Sequence, residues 1–328
     1  MAEMQLKLAP QCRMMNICGI DIIGNPETNT IIGLNDEGMS LIQKMKSGDA
    51  IDASSLNENQ NMLLNELSAE GFFTNASSVF AVKSAYLHVT SHCNLRCSGC
   101  YSFEAGRNAV CDLTLDELKK VLDNLVDAGL TYLTISGGEP FSREDLEEFL
   151  AYAKSKRQIQ YIECITNGTA SLNRYQKASQ YIDKLSFSLD SADAESAVIR
   201  PAAVFKTVVD RLIPLQAEGS PVSIIFTIHH GNVARCSELM AFANSMNVEF
   251  RFSLFAADNI NTLMLTPEDY EIFHKFIMSH KGNIPVEDSV AESEAGCIVS
   301  CGAGKTMISV ASDGSIYPCH MFVNKKQF

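Results

Sequence analysis

The sequence predicts an α/β protein in which a small α+β unit precedes a larger part built on a parallel β-sheet. From about residue 85 onward, six short β-prone runs alternate with helical stretches of about ten to fifteen residues. This alternation is typical of a parallel sheet whose connections are right-handed crossovers. Such sheets carry their chemistry at the C-terminal ends of the strands, so the residues that directly follow each predicted strand are the candidates for a functional site.

The N-terminal unit has the signals of a β-hairpin followed by two helices. Residues 18–23 and 30–34 are β-prone runs, and turn-forming residues lie between them at 24–26. Helices are predicted at about residues 36–46 and 59–69, because the apolar side chains of each recur on one stripe. These apolar faces predict that the unit folds around a small core of its own.

The larger part is predicted to contain six strands and several covering helices. A capping box opens the first helix at Thr114, and later helices are predicted at residues 142–156 and 233–246. Thr266, as an N-cap, opens another helix that runs to about residue 280. The strands are expected at residues 86–90, 132–136, 161–166, 185–189, 223–228 and 249–254.

Composition and charge exclude several classes of protein. The chain has 328 residues and a formal net charge of −13. This charge argues against a nucleic-acid partner, because neutralising phosphates takes clustered Lys and Arg. The apolar runs are too short to span a bilayer, and the first ten residues lack the apolar core of a signal peptide. We therefore expect a cytoplasmic protein with neither a membrane nor a nucleic-acid partner.

Three of the eleven cysteines are clustered, and the odd total without an export signal disfavours a disulfide scaffold. Cys93, Cys97 and Cys100 lie in the loop after the first strand of the larger part. Thiolates at spacings of four and three residues can wrap one side of a cube-shaped iron–sulfur cluster and leave one iron open. The alternatives are a zinc site completed by His92, or buried thiols without a metal.

A second motif, Ser136-Gly-Gly-Glu-Pro140, ends the next predicted strand. Two glycines at a strand end allow the backbone to approach a ligand closely. The acid can accept a charge-assisted hydrogen bond from a ligand ammonium. Alone, the motif indicates no more than a strand-to-helix turn, but its place one strand–helix unit after the cysteine motif favours a shared ligand site.

These two motifs, with residues 85 to about 258 around them, resemble the radical S-adenosylmethionine (SAM) superfamily. The resemblance implies a partial (β/α)6 barrel and an enzyme that splits SAM reductively to a 5′-deoxyadenosyl radical, which abstracts a hydrogen atom. It implies that a catalytic [4Fe–4S] cluster is bound by Cys93, Cys97 and Cys100, and the methionine end of SAM by Gly137, Gly138 and Glu139.

Further SAM contacts are implied at the ends of the third and fourth strands. Ser188 and Asp190 resemble the family's ribose-contacting segment, with a cap on the following turn as the alternative for Asp190. Asn167 is a candidate SAM neighbour or a turn residue. Arg200 is a candidate partner for the SAM carboxylate, because a guanidinium matches that shape, or else a member of a surface ion pair.

One departure from the superfamily concerns residue 99. Many members carry an aromatic residue just before the third cysteine, beside the adenine, whereas this chain has Gly99 there and Tyr101 just after. Backbone contacts to the adenine remain possible in this chain. Side-chain packing on the adenine from position 99 is not expected.

The C-terminal cysteines carry a second resemblance. Cys301 is followed by twelve residues, Gly314, four residues and Cys319, which resembles the opening of a SPASM domain, the module that holds auxiliary [4Fe–4S] clusters in related enzymes. The resemblance implies that Cys297, Cys301 and Cys319 are ligands of a possible auxiliary cluster, incomplete in this chain. Since the family's further cysteines do not follow Cys319, a fragment of a longer chain is expected, with a degenerate domain as the alternative.

The N-terminal unit resembles the PqqD-like peptide-recognition modules. The match rests on Ile31-Ile-Gly-Leu-Asn35, the helix after it, and a second helix that ends before Gly71-Phe-Phe73. It implies that a leader peptide adds as a strand at the edge of the unit. An unrelated winged helix is the alternative. The DNA binding that a winged helix suggests is disfavoured, because residues 1–79 are not basic.

The predicted domains are a PqqD-like leader-recognition domain at residues 1–80, a radical SAM partial barrel at 81–265, and a connecting helix with a partial SPASM domain at 266–328. The predicted function is a SPASM-type radical SAM enzyme that modifies a ribosomally synthesised precursor peptide through a thioether or carbon–carbon crosslink, with flavodoxin or ferredoxin as reductant. One alternative is a maturase of a folded protein, of the formylglycine type. Another is an iron–sulfur or zinc protein without SAM chemistry, which the Gly-Gly-Glu and ribose-type segments disfavour.

Overall fold

Two compact units make up the chain, one within residues 1–80 and the other within residues 81–290 and 303–328. Each unit has a buried apolar core of its own. None of the described helices is long and apolar enough to cross a membrane. The computed structural model describes residues 3–4, 6–17, 20–26, 28, 30–47, 51–52, 55–73, 82–100, 111–257, 261–280, 284–285 and 302–323.

The first unit is a three-stranded antiparallel sheet with two helices. The predicted hairpin and both predicted helices are confirmed. The strand at Arg13–Ile17 is not predicted, because it contains a single β-branched residue. In chain order the elements are β1 (Glu3–Met4), β2 (Arg13–Ile17), β3 (Ile20–Asn25), β4 (Thr30–Leu34), α1 (Asp36–Ser47), β5 (Ile51–Asp52) and α2 (Glu58–Ala69). The sheet order is β2-β3-β4, and β1 pairs with β5.

The second unit is built on six parallel strands that lie side by side in chain order. All six agree with the predicted strands to within two residues at each end. The strands are β6 (Ser84–Thr90), β7 (Tyr132–Gly137), β8 (Tyr161–Thr166), β9 (Lys184–Leu189), β10 (Val222–Ile228) and β11 (Glu249–Leu254). The helices are α3 (Leu115–Asp127), α4 (Leu146–Ser155), α5 (Leu172–Ala178), α6 (Ala202–Ala217), α7 (Cys236–Ser245) and α8 (Pro267–Ser279).

The sheet curls into a partial barrel. Glu163 on β8 and Arg251 on β11 form an ion pair with a nitrogen–oxygen distance of 2.7 Å, although β9 and β10 lie between these strands. Neighbouring strands are about 4.8 Å apart, so a flat sheet would separate β8 from β11 by about 14 Å. The ion pair therefore closes across a concave inner face. Ser186 and Ser223, whose hydroxyls are 2.7 Å apart, belong to the same inner layer.

The helices cover the outer face of the barrel. α3 begins at the predicted capping box of Thr114 and buries Leu118 and Leu122 completely. Leu87 of β6 belongs to the same apolar core. Val89 faces the same core, and Thr90 ends β6 at an irregularity in the pairing of this strand with β7.

The C-terminal segment extends the barrel sheet. Strand β12 (Met307–Val310) pairs in parallel with β6, and β13 (Ile316–Tyr317) runs antiparallel to β12. The sequence predicts neither strand, because runs of four and two residues are too short for an alternating pattern to be recognised. Residues 303–323 thus share a sheet and a compact unit with the barrel, and the separate domain from residue 266 onward stays a prediction.

Candidate functional site

The cysteine loop, residues 91–100, follows the C-terminal end of β6. Cys93, Cys97 and Cys100 are half-buried thiols within it, and none of the three is in a disulfide. Burial raises the pKa of the Cys97 thiol; the charge of Arg200 lowers it, and those of Cys100 and Cys93 raise it. The three thiols and one guanidinium therefore share a small region at the mouth of the barrel.

The Gly-Gly-Glu motif lies against the start of the cysteine loop. The Gly138 N–H donates to the Thr90 carbonyl, and the Glu139 N–H donates to the His92 carbonyl, each at 2.7 Å. A Cβ atom at Gly138 would lie 2.0 Å from the His92 carbonyl oxygen. A Cβ atom at Gly137 would lie 2.3 Å from the Thr90 carbonyl oxygen. Glycine is therefore required at both positions, at Gly137 by the backbone at the end of β6 and at Gly138 by the backbone of the cysteine loop.

The Glu139 carboxylate is buried and held by three donors, with 3% of the residue exposed. Its Oε1 accepts from the Phe141 N–H at 3.1 Å and from the Thr166 hydroxyl at 2.7 Å. Its Oε2 accepts from the Asn167 N–H at 2.7 Å. Burial raises the pKa of this carboxyl, and the three hydrogen bonds oppose that rise. A carboxylate oxygen can accept two hydrogen bonds, so Oε2 keeps one position for a further donor.

Asn167 joins Glu139 to the cysteine loop. Its side-chain nitrogen donates to Asn94 Oδ1 at 2.9 Å and lies 3.8 Å from the Cys93 sulfur. Its side-chain oxygen accepts from the Thr169 N–H at 3.0 Å. The Asn94 side chain donates in turn to the Thr169 hydroxyl at 2.8 Å. The ends of β6, β7 and β8 are thus tied into one polar network that contains three predicted site residues.

Asp112, which belongs to none of the predicted site motifs, supports the base of the cysteine loop. Its carboxylate accepts from the Thr90 hydroxyl, from the Ser91 N–H at 2.8 Å, and pairs with His92 Nδ1 at 3.0 Å. No motif marks Asp112, because only the fold brings it to this loop. In the part of the chain that the structure describes, no three His, Cys, Asp or Glu side chains could hold a metal ion together, which disfavours the zinc alternative. The thiolates of a cubane cluster do not meet at one ion, because each binds a different iron.

Asp190, a predicted ribose contact, is engaged with the protein. It is 1% exposed, and its Oδ2 accepts from the N–H groups of Val198 at 2.9 Å and Ile199 at 2.8 Å. Its Oδ1 pairs with Nη1 of Arg200 at 3.1 Å. The Ile199 carbonyl accepts from the Ser98 N–H of the cysteine loop at 3.0 Å. This geometry favours the alternative role of a cap on the following turn, and the ribose contact stays a prediction.

Arg200 carries a donor that no described residue satisfies. Its side chain is 12% exposed, and its Nε atom is buried without a hydrogen-bond partner among the residues that the structure describes. Buried polar groups are rarely left unpaired, so this atom indicates an acceptor that the described residues do not supply. Ser188 is half-buried on β9 and shares its inner face with Ser186, because side chains alternate along a strand. Its ribose contact also stays a prediction.

Phe255, directly after β11, fills the space beside Gly99. A Cβ atom at Gly99 would lie 2.1 Å from the Phe255 ring, and Gly99 has a φ of 67°, which favours glycine. The Phe255 residue is 7% exposed, and its N–H donates to the Ile228 carbonyl at 2.7 Å. An aromatic ring therefore does pack against the loop at position 99, but it belongs to Phe255, the residue that follows the last barrel strand. The sequence gives no sign of this contact between residues so far apart in the chain.

The predicted auxiliary ligands are only partly described. Cys297 and Cys301 lie outside the described residues. Cys319 is buried, and its sulfur lies 3.6 Å from His320 Nδ1. The His320 ring stacks on Tyr86 of β6 with ring centres 4.1 Å apart, and burial lowers the pKa of His320 to about 4. The auxiliary cluster stays a prediction.

The residues present fit a cubane cluster with SAM beside it. The loop supplies three thiols, and its histidine, His92, is paired with Asp112, so the described residues suit a cluster with one open iron. Glu139 keeps an acceptor position for a ligand ammonium. The unsatisfied Nε of Arg200 matches a ligand that carries acceptors.

Residues 87–243 match the family model of the radical SAM superfamily. The matched stretch runs from β6 into α7 and contains the cysteine loop, the Gly-Gly-Glu motif and Asn167. The chain therefore carries a radical SAM domain and is an enzyme. The cofactors of this superfamily are a [4Fe–4S] cluster and SAM.

Two curated relatives resemble most of the chain. The PqqA peptide cyclase of Gluconobacter oxydans is 28% identical over 254 residues, which is 72% of this chain and 70% of that protein. The mycofactocin maturase MftC of Mycobacterium tuberculosis is 27% identical over 248 residues, which is 70% of this chain and 62% of that protein. The chain thus spans less than two thirds of the mycofactocin maturase.

Solved structures share the fold. Streptococcus suis SuiB bound to precursor peptide SuiA has a TM-score of 0.62 at 14% identity, and the match covers 98% of this chain and 85% of SuiB. The anSMEcpe structure with bound AdoMet has a TM-score of 0.60 at 19% identity, covering 74% of this chain and 76% of that one. At these identities the likeness concerns the fold alone, and it agrees with the predicted partial barrel.

Proposed function

We propose that this chain modifies a ribosomally synthesised precursor peptide by radical SAM chemistry, through a thioether or carbon–carbon crosslink. The observation that carries the SAM chemistry is the network in which Asn167 links the buried Glu139 carboxylate to Cys93. The peptide substrate is supported by the relatives, because one is a PqqA peptide cyclase. SuiB, a fold neighbour, was crystallised with a precursor peptide.

In this proposal each site residue has a defined task. When bound, the cluster and SAM supply a 5′-deoxyadenosyl radical that removes a hydrogen atom from the peptide. Oε2 of Glu139 accepts from the methionine ammonium, Gly137 and Gly138 hold the backbone close to the cysteine loop, and Asn167 and Ser188 line the site. The cluster is ligated by Cys93, Cys97 and Cys100.

The reaction also requires an electron donor and a reducing environment. Reductive cleavage of SAM consumes one electron, which we assign to a flavodoxin or ferredoxin. None of the eight described cysteines is in a disulfide, as is usual in a reducing compartment such as the cytoplasm. The assignment of this enzyme to the cytoplasm is part of the proposal.

We place the leader of the precursor peptide on the edge strand β4. In the sheet order β2-β3-β4, this strand pairs with β3 on one side only among the described residues. An added strand would satisfy backbone groups on the open side. Ile31 on this strand is 37% exposed, and no atom lies within 4 Å of a Cβ built at Gly33. The strand therefore presents an apolar side chain next to an open position.

Proline substitutions in β4 test the leader site. Adjacent residues of an antiparallel strand direct their N–H groups to opposite sides. One of the substitutions Ile31→Pro and Ile32→Pro therefore removes a backbone hydrogen bond to β3. The other removes only an N–H group on the open edge of β4. The variant with the smaller loss of thermal stability should lose leader binding, measured by anisotropy of a labelled leader, and peptide modification. SAM cleavage without peptide should persist.

Matched controls are Ile31→Ala and Ile32→Ala, which remove the same side chains but keep the N–H groups. They should bind the leader far better than the corresponding proline variant. The proposal would be contradicted if two proteins both modified the peptide at full rate: the proline variant with the smaller loss of thermal stability, and a chain lacking residues 1–80. The N-terminal unit would then not recognise a leader. The alternative of a folded-protein maturase of the formylglycine type would then be favoured.

Glu139→Gln should weaken SAM binding roughly tenfold or more and should destabilise the SAM-free protein by about 1–3 kcal/mol. Both carboxylate oxygens accept from backbone N–H groups, those of Phe141 and Asn167. A backbone N–H can only donate a hydrogen bond. In either orientation of the Gln amide, its NH2 group therefore faces one of these N–H groups, so that two donors meet. Calorimetry with SAM and chemical denaturation measure the two effects.

The control for this substitution is Glu148→Gln, because 65% of that side chain is exposed. It should change neither SAM affinity nor stability by a comparable amount. Unchanged SAM affinity in Glu139→Gln would remove Glu139 from the SAM site, while the loss of stability alone would leave it as a structural link between β7 and β8.

A further inference from the structure

Arg200 is held beside the cysteine loop from two sides. Its guanidinium pairs with the buried Asp190 carboxylate at 3.1 Å. The residue before it, Ile199, accepts a hydrogen bond from Ser98, which follows Cys97 in the loop. The side chain is therefore fixed at the Cys97 side of the loop.

The unsatisfied Nε–H of Arg200 indicates an acceptor that lies outside the described residues. Nη1 of Arg200 is used by Asp190, whereas Nε is buried and unpaired among the described residues. Two kinds of acceptor suit this site: a sulfur of the cluster, or the carboxylate of SAM. Asp190 is a buried carboxylate already paired with the same guanidinium, and a second carboxylate there would meet like-charge repulsion. A cluster sulfur carries a more diffuse negative charge than a carboxylate, and Ile199 ties this segment to Ser98 of the cysteine loop, so the sulfur is the acceptor that the placement favours.

We propose that Arg200 donates from Nε to the cluster on the Cys97 side and raises the cluster's reduction potential. One-electron reduction adds a negative charge to the cluster, and a fixed cation beside it stabilises the reduced state. Hydrogen bonds to cluster sulfur act in the same direction. Arg200 thus favours electron transfer into the cluster without contacting the peptide. The inference rests on the cluster being bound by the cysteine loop and is independent of which substrate the enzyme modifies.

The test is a redox titration of the SAM-free, reconstituted enzyme, followed by the electron paramagnetic resonance signal of the reduced cluster. Arg200→Gln removes the charge and should lower the equilibrium constant for cluster reduction about tenfold, which is about 59 mV for one electron. Arg200→Lys keeps the charge and should retain most of the wild-type potential. Lys154→Gln is the control, because Lys154 pairs with Asp183 at the opposite end of the barrel; its potential should be that of wild type.

SAM affinity separates this role from the carboxylate contact predicted by resemblance. If Arg200→Gln left the SAM-free potential unchanged, the proposal would be wrong, and a tenfold weaker SAM affinity would then identify the carboxylate contact. If Arg200→Gln did not retain its irons while the iron-free fold stayed intact, contact with the cluster loop would be supported, because a residue serving SAM alone is not needed for assembly. Absence of iron in the wild type would instead show that the cluster assignment itself had failed.

Discussion

Replacing Cys93, Cys97 and Cys100 together by Ala should abolish SAM cleavage and remove the catalytic cluster. The three thiols lie in one loop, half-buried and close enough to influence one another. Among the described residues, no three His, Cys, Asp or Glu side chains converge on a single metal ion, and a cubane cluster does not require this because each thiolate binds a different iron. Formation of 5′-deoxyadenosine by the anaerobically reconstituted, reduced protein measures the activity. Iron analysis and the visible absorbance measure the cluster.

The matched control is Cys111→Ala, because Cys111 is an exposed free thiol outside the motif. It should cleave SAM at the wild-type rate, which would show that removal of a thiol from this region is not itself damaging. Tightly bound zinc without iron in the anaerobically purified wild type would contradict the assignment. The zinc alternative would then return, although His92 pairs with Asp112 in this structure.

The barrel strands could be predicted from the sequence because each is a run of apolar or β-branched residues bounded by helices. This local signal locates all six to within two residues. Strands without it, such as β2 with a single β-branched residue, could not be found. The cysteine and Gly-Gly-Glu motifs were likewise visible, because ligand types at fixed spacings are local information.

The contacts that hold the site together could not be predicted, because each joins residues distant in the chain. Nothing near Gly99 indicates that the Phe255 ring lies where its side chain would be. Asp112 resembles any loop acid until the fold places it beside Ser91. Asp190 shows the limit most clearly: the resemblance implies a SAM contact, whereas its oxygens accept hydrogen bonds from residues 198–200.

These contacts share one feature, which is that they converge on the cysteine loop. Asn167 reaches it from β8, Ile199 from the segment after β9, and Phe255 from the end of β11. The loop must keep three thiolates in a geometry fixed by the cluster, and it has few apolar side chains of its own. Support from several strand ends supplies the rigidity that a site on a loop requires.

The largest effect of a single added carbon should come from Gly138→Ala. The new Cβ would lie 2.0 Å from the His92 carbonyl oxygen, 2.5 Å from its carbonyl carbon and 2.7 Å from the Ser91 carbonyl oxygen. All three are backbone atoms, so no side-chain rotation relieves the clash. The start of the cysteine loop must move, and Cys93 follows directly. Because misplacement by about 1 Å can cost on the order of a hundredfold in rate, we expect SAM cleavage to fall by at least that factor.

The comparison for this substitution is Gly24→Ala in β3, where a Cβ meets nothing closer than 3.9 Å. Its SAM cleavage without peptide should equal that of wild type. Gly138→Ala should also retain less iron after reconstitution, because displacement of the loop disturbs the ligands themselves. A Gly138→Ala variant with full iron content and a wild-type rate of SAM cleavage would show that the cysteine loop tolerates the shift. In that case, the position of Cys93 would not depend on the tight packing of the Gly-Gly-Glu backbone against the loop.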